Sequence, residues 1–234
     1  RMAQRGEKIR IALTLTPSHT GVVESGNVVA EIPGTDLADE IVVIGGHLDS
    51  WDLGTGAVDD GAGVAITMEV LRRIRDSGLK PRRTIRLVLW GAEEVGLLGG
   101  YAYLDKHQAT IRKHVIGTES DFGAGKIWKI TRSINKEAEP VADKIAELVE
   151  PLGIATGSND ARSSGPDLTP MNAMGFPGFR FVQDGSDYFD LHHTPDDTLD
   201  KIDPSALDQN VAAYLVFVWM AANSNVSNWG WPED

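Results

Sequence analysis

Residues able to bind metal or move protons gather in five short clusters: His47-Leu-Asp49, Asp59-Asp60, Glu93-Glu94, Glu119-Ser-Asp121 and His192-His193. Taken singly, each has an ordinary explanation. A histidine at a strand end is often just a hydrogen-bonded, half-buried side chain. Asp59-Asp60 can cap a helix, Glu93-Glu94 can favour a helix dipole, and His192-His193 can sit on the surface. Taken together those explanations fail. So many carboxylates in one pocket repel one another strongly unless cations stand between them. The chain has no cysteine, so any metal must be held by His, Asp and Glu. That donor set suits zinc, with cobalt or manganese as substitutes. Two metals fit the donor supply better than one. A catalytic zinc takes about three protein ligands and keeps a position for water, and two metals about 3.5–4 Å apart can share a bridging group. A further carboxylate, not itself a ligand, must then accept a proton. Adjacent residues at a strand end point in different directions, so one of Glu93 and Glu94 can bind metal while its neighbour faces the water.

The clusters fall at the ends of predicted elements. Ile41–Ile44 is a continuous β-branched run ending in Gly45-Gly46, and reads as a buried central strand that delivers His47. Thr84–Trp90 is a second buried strand, delivering Glu93 and Glu94, and His114–Glu119 a third, delivering Asp121. Ile9–Thr16 alternates polar and apolar, which predicts a strand, as does Asn27–Ile32. Ile127–Ile130 and Gly178–Val182 read as shorter strands. Helical spacing covers Asp60–Asp76, stopped by Gly78 and Pro81, then Val95–His107, the amphipathic Lys136–Leu152, and Pro204–Ala222, which has Pro at its start as helices prefer. Gly157–Gly165 reads as a loop. Strands alternating with helices predict an α/β fold, a three-layer α/β/α sandwich on a mostly parallel, mixed central sheet. In such sheets ligand sites form beyond the carboxyl ends of strands, where these clusters lie. With 234 residues and neither repeats nor an internal linker, the chain is expected to form one domain.

The net charge is -12, which repels phosphate backbones and anionic membrane surfaces and argues against nucleic-acid binding. The longest apolar stretch, Val211–Ala222, is too short to span a bilayer. The chain opens on Arg1 rather than Met and enters a strand pattern almost at once, as expected where the true N-terminus lies elsewhere.

The run Gly46-His-Leu-Asp-Ser-Trp-Asp-Leu-Gly-Thr-Gly-Ala-Val-Asp-Asp-Gly-Ala-Gly63 resembles the metal-binding stretch of the co-catalytic di-zinc exopeptidases. Pro81–Glu94, Glu119-Ser-Asp121 and His192-His-Thr-Pro-Asp-Asp-Thr198 resemble that family in the same order, and His-Leu-Asp-Ser-Trp-Asp is most similar to its carboxypeptidase Q-like branch. The resemblance implies that His47 and Asp121 bind one zinc, that Glu94 and His193 bind the other, and that Asp59 bridges them. It implies Glu93 as general base and proton donor, and Asp49 as acceptor of the other ring N–H of His47. It further implies a cis peptide bond at Asp59-Asp60. His193 rather than His192 is the implied ligand because it directly precedes the hydroxyl residue Thr194. His192 would then line the substrate pocket, and Asp167 and Tyr188 fall in segments similar to substrate-side loops. His19, His107 and His114 match nothing and read as surface or packing residues. The implied activity is hydrolysis of terminal peptide bonds in dipeptides or short peptides. An aminopeptidase on the same scaffold is the alternative, ahead of a one-zinc glutaminyl cyclase-like acyltransferase and a non-catalytic receptor-like module. The resemblance also implies export to the periplasm or extracellular space and leaves a homodimer open. The N-terminal helices and protease-associated insert of that branch have no counterpart in these residues.

Overall fold

A computed structural model describes residues 2–18, 20–159 and 164–233. Its centre is a seven-stranded sheet in the order β1-β3-β2-β4-β7-β5-β6. The strands are β1 (Val28–Ile32), β2 (Leu37–His47), β3 (Arg83–Trp90), β4 (His114–Glu119), β5 (Ile127–Ser133), β6 (Ala155–Thr156) and β7 (Gly178–Gln183). The core strands β3, β2, β4 and β7 are mutually parallel. The edge strand β1 is antiparallel to β3, and β5 is antiparallel to β7 but parallel to β6. The sheet is therefore mixed with a parallel centre, as the alternation of elements predicts.

Period-two alternation in the strands builds two cores. Val42, Ile44, Ile85, Leu87 and Leu89 point to one face, where they pack with Ile66, Val70 and Ile74 of α1 (Ala62–Ser77). Ile145 of α3 (Glu139–Val149) and Tyr214 and Phe217 of α6 (Pro204–Asn223) complete that layer. Ile41, Val43, Val88 and Trp90 point to the other face, against Tyr103 of α2 (Leu98–His107) and Met171 of α4 (Thr169–Asn172). A short helix α5 (Tyr188–Leu191) lies after β7. Because helices cover both faces, all six residues of β4 are buried, His114, Thr118 and Glu119 included, and Ile41–Ile44 of β2 reads as a continuous apolar run. The bounds shift in places. The first helix starts at Ala62 because Asp60 is spent on a turn, and the second starts at Leu98 because residues 91–97 form the loop that carries Glu93 and Glu94.

One prediction fails outright. Ile9–Thr16 forms no strand: no partner pairs with it, and Ile11, Leu13 and Leu15 are about three-quarters exposed, at 75%, 74% and 75%. Alternation is a pattern that a strand uses, but without a neighbouring ladder it creates none. His19 and residues 160–163 of the predicted Gly157–Gly165 loop lie outside the described residues. No helix among the described residues is long and apolar enough to cross a membrane.

His114, read as a packing residue, is fully buried at the start of β4. Its Nδ1–H donates to the Ile111 carbonyl at 3.1 Å, and its Nε2 accepts from the Tyr103 hydroxyl at 2.7 Å. The Arg86 guanidinium stands 3.3 Å from the same Nε2. Burial, then the positive charge of Arg86, pushes His114 down to about 4. A histidine depressed in the fold makes the unfolded chain the better proton binder, so stability falls as pH drops below the unfolded value near 6.5. Between pH 7 and pH 4.5 this single group should cost on the order of 2 kcal/mol. Urea melts at both pH values check it. His114→Gln should lower stability at pH 7 and flatten the pH slope; an unchanged slope would refute the assignment.

Candidate metal centre

All five clusters meet at the carboxyl end of the parallel strands. His47 is the last residue of β2 and is 1% exposed. Its Nδ1–H donates to the Asp49 backbone carbonyl at 2.7 Å, which fixes the tautomer and leaves Nε2 free to face Asp59 Oδ1 at 3.0 Å and Asp121 Oδ2 at 3.8 Å. The other oxygen of Asp59, Oδ2, lies 3.4 Å from Nε2 of His192 and 3.4 Å from Nε2 of His193. Nε2 of His193 is also 2.8 Å from Glu94 Oε2. Two donor groups therefore form, one of His47, Asp59 and Asp121, the other of Asp59, His192 and His193, and Glu94 abuts the second through His193. Asp59 contributes one oxygen to each.

These spacings fit metal. Tetrahedral ligands at about 2.1 Å stand roughly 3.4 Å apart, and the donor separations in the site bracket that value. Asp59 Oδ2 and Glu94 Oε1 are buried without hydrogen-bond partners among the described residues, a costly arrangement unless another group satisfies them. The electrostatics agree. Burial alone would depress the His47 imidazolium, but its hydrogen bond to Asp59 and the charges of Asp60 and Asp121 outweigh burial and raise it to about 11. A proton is held where a cation is wanted. Burial, assisted by Asp59 and Glu94, lifts Asp121 to about 6.

The two aspartates at 59 and 60 divide capping and donor roles between them. Asp60 does the capping: Oδ1 accepts the N–H of Gly63 at the start of α1, and Oδ2 accepts the N–H of His47. Asp59 faces the donors. The bond between them is cis, as expected. Gly63 allows this crowding, since a Cβ there would lie 1.9 Å from the Ser120 carbonyl.

Asp49 differs from its expected role. Its carboxylate does not hold the His47 ring, from which it is 3.9 Å away; its backbone carbonyl does. The carboxylate instead accepts the backbone N–H of Glu93 at 2.9 Å and of Glu94 at 3.2 Å. It clamps the loop that carries both glutamates. Glu93 is half-buried on the wall of a cavity of about 510 Å³ that also includes Asp59, Glu94, Asp121, His192 and His193. Burial first, then the carboxylates of Asp121, Asp167 and Glu94, raises Glu93 to about 7.

Tyr188 and His192 lie on the cavity wall, with their rings 4.8 Å apart. The His192 ring stacks on His193 at 3.6 Å, and Trp51 stacks on His193 at 4.8 Å. Asp167 does not reach the wall. It is 1% exposed behind Glu119, whose Oε2 accepts its backbone N–H, and neither of its carboxylate oxygens has a hydrogen-bond partner among the described residues. Its place on a substrate-side loop is filled by Gly165 and Pro166.

Sequence reasoning gave no role to Asp197. Its carboxylate accepts the N–H groups of Val58 at 2.6 Å and Asp59 at 3.2 Å, while its carbonyl accepts from Thr55. The only sequence signal was its place in the quoted His-His-Thr-Pro-Asp-Asp run.

The chain belongs to peptidase family M28, whose model matches residues 27–218. It is 38% identical to rat carboxypeptidase Q over 223 residues, 95% of this chain and 47% of that protein. It is 35% identical to human carboxypeptidase Q over the same share of each. Among solved structures, it is similar to a peptidase M28 precursor from Shewanella amazonensis, at 55% identity and a TM-score of 0.84, over 89% of this chain and 47% of that one. A zinc aminopeptidase from Bacillus subtilis shares the fold at 20% identity and a TM-score of 0.67, over 86% of this chain and 51% of that one. The chain thus spans about half the length of the relatives it matches.

Proposed function

We propose that this chain is the catalytic part of a two-zinc exopeptidase that hydrolyses terminal peptide bonds of dipeptides or short peptides, with carboxypeptidase or dipeptidase specificity. The observation that carries this reading is Asp59, whose two oxygens face two separate donor groups beside the half-buried Glu93. His47, Asp59 and Asp121 would hold one zinc, and Asp59, Glu94 and His193 the other. His193 is preferred to His192 because it alone of the two also contacts Glu94. Zinc bound there supplies an acidified water and a polarised scissile carbonyl. Glu93 accepts the proton at its carboxylate and returns it to the departing amine. Asp49 and Asp197 hold the backbone of the residues that do this work. Tyr188, Phe122 and Phe189 wall the cavity and limit water around the substrate. Cobalt or manganese would substitute. Export to the periplasm or extracellular space, and a homodimer, belong to the same reading and rest on the family likeness.

The second reading is an aminopeptidase, favoured by the acidic wall of Asp59, Glu93, Glu94, Glu119 and Asp121, which suits a free ammonium group. One dipeptide in three forms separates the two after zinc loading. Cleavage of the free and N-acetylated forms, but not the C-amidated form, is the expected result. Cleavage of the free and amidated forms only would establish the aminopeptidase, and cleavage of the free form alone a dipeptidase that reads both ends. No cleavage of any form by the two-zinc protein would overturn the proposal for this chain.

A further inference from the structure

We infer that Arg180 receives the C-terminal carboxylate of the substrate, an assignment that rests on the exopeptidase reading and gives it a specificity residue. Arg180 is the third residue of β7. Its neighbours Phe179 and Phe181 point into the core, against Phe217 and Tyr214. Alternation therefore turns Arg180 to the opposite face, where it is exposed and lines the cavity that holds Asp59 and Glu93. Among the described lining residues it is the one Lys or Arg, set against five carboxylates.

The ordinary reading of an exposed arginine is a solvated strand residue. Two observations argue against it. Arg72, Arg82, Arg83, Arg86 and Arg132 each hold a carboxylate at 2.6–2.8 Å, whereas no carboxylate among the described residues pairs with Arg180. Its guanidinium is not loose either: it lies 5.8 Å over the ring of Phe122, the residue directly after Asp121. No side-chain hydrogen bond among the described residues occupies its N–H groups. A guanidinium fork matches a carboxylate with two parallel hydrogen bonds. In a peptide cut at its last bond, that carboxylate lies one residue from the scissile carbonyl. Arg180 thus supplies the cationic subsite that an otherwise acidic wall lacks.

The test is a binding ratio that needs no turnover. Zinc-loaded protein carrying Glu93→Gln is titrated calorimetrically with an N-acetyl dipeptide and with its C-terminal amide. The free acid should bind about 30-fold more tightly, in line with a charge-assisted pair of hydrogen bonds. Adding Arg180→Gln should bring the two ligands to within about threefold, and Arg180→Lys should restore part of the difference. In the turnover-competent protein, Arg180→Gln should raise KM for the free acid far more than it lowers kcat. An unchanged acid-to-amide ratio in Arg180→Gln, or no preference for the acid in the parent, overturns the assignment. Failure of the exopeptidase reading would show separately, as absence of cleavage by the Glu93 protein while the binding ratio still depends on Arg180.

Discussion

Glu93→Gln should fold normally, keep its zinc and lose catalysis by about 10²–10⁴-fold or more in kcat, the range typical of a removed general base. The amide is isosteric with the acid, so the cavity wall keeps its shape. The clamp on the loop also survives, because Asp49 grips the backbone N–H of residue 93 and not its side chain. Only the ability to accept and return a proton goes. Metal content by atomic emission, thermal melting and steady-state kinetics on the same preparation separate the outcomes. Loss of zinc along with activity would make Glu93 a ligand. Retention of activity within tenfold would remove it from the chemistry.

Asp59→Asn should have the larger effect on metal. Asp59 contributes one oxygen to each donor group, so the substitution strikes both centres at once. Outer partners of metal ligands typically cost 10–100-fold in affinity when changed, and a shared direct ligand should cost more than about 100-fold at each centre. After dialysis the variant should retain fewer than one zinc per chain and no measurable hydrolysis, while wild type retains two. Asp121→Asn touches one donor group only and should leave close to one. If Asp59→Asn still held two zincs, bridging by this residue would be refuted.

How much of this was legible in the sequence depended on locality. His47, Glu94 and Asp121 were legible because strand patterns at 41–44, 84–90 and 114–119 end just before them, and a parallel sheet brings such ends together. The cavity wall was less so. Phe122 and Arg180 meet because β7 inserts between β4 and β5, an order that periodicity cannot supply. The resemblance gives Asp49 the second ring N–H of His47; in the structure its backbone carbonyl accepts that N–H at 2.7 Å while its carboxylate stands 3.9 Å away, a choice between two acceptors of one residue that no sequence pattern makes. Asp197 reaches Asp59 across 138 residues, and no local pattern marks that. Ile9–Thr16 shows the converse, a local pattern with no ladder to join.

The grip of Asp197 on Val58 and Asp59 has a consequence for biosynthesis. The backbone that presents the Asp59 carboxylate is held by a residue translated long after it, and His193 arrives in the same late stretch. Until the ribosome has released that segment, the strand ends carry a half-built set of repelling carboxylates. On the two-zinc proposal, metal capture would belong to the final stage of chain maturation, and a nascent chain halted before residue 192 should be unable to retain a metal pair whatever its degree of sheet formation.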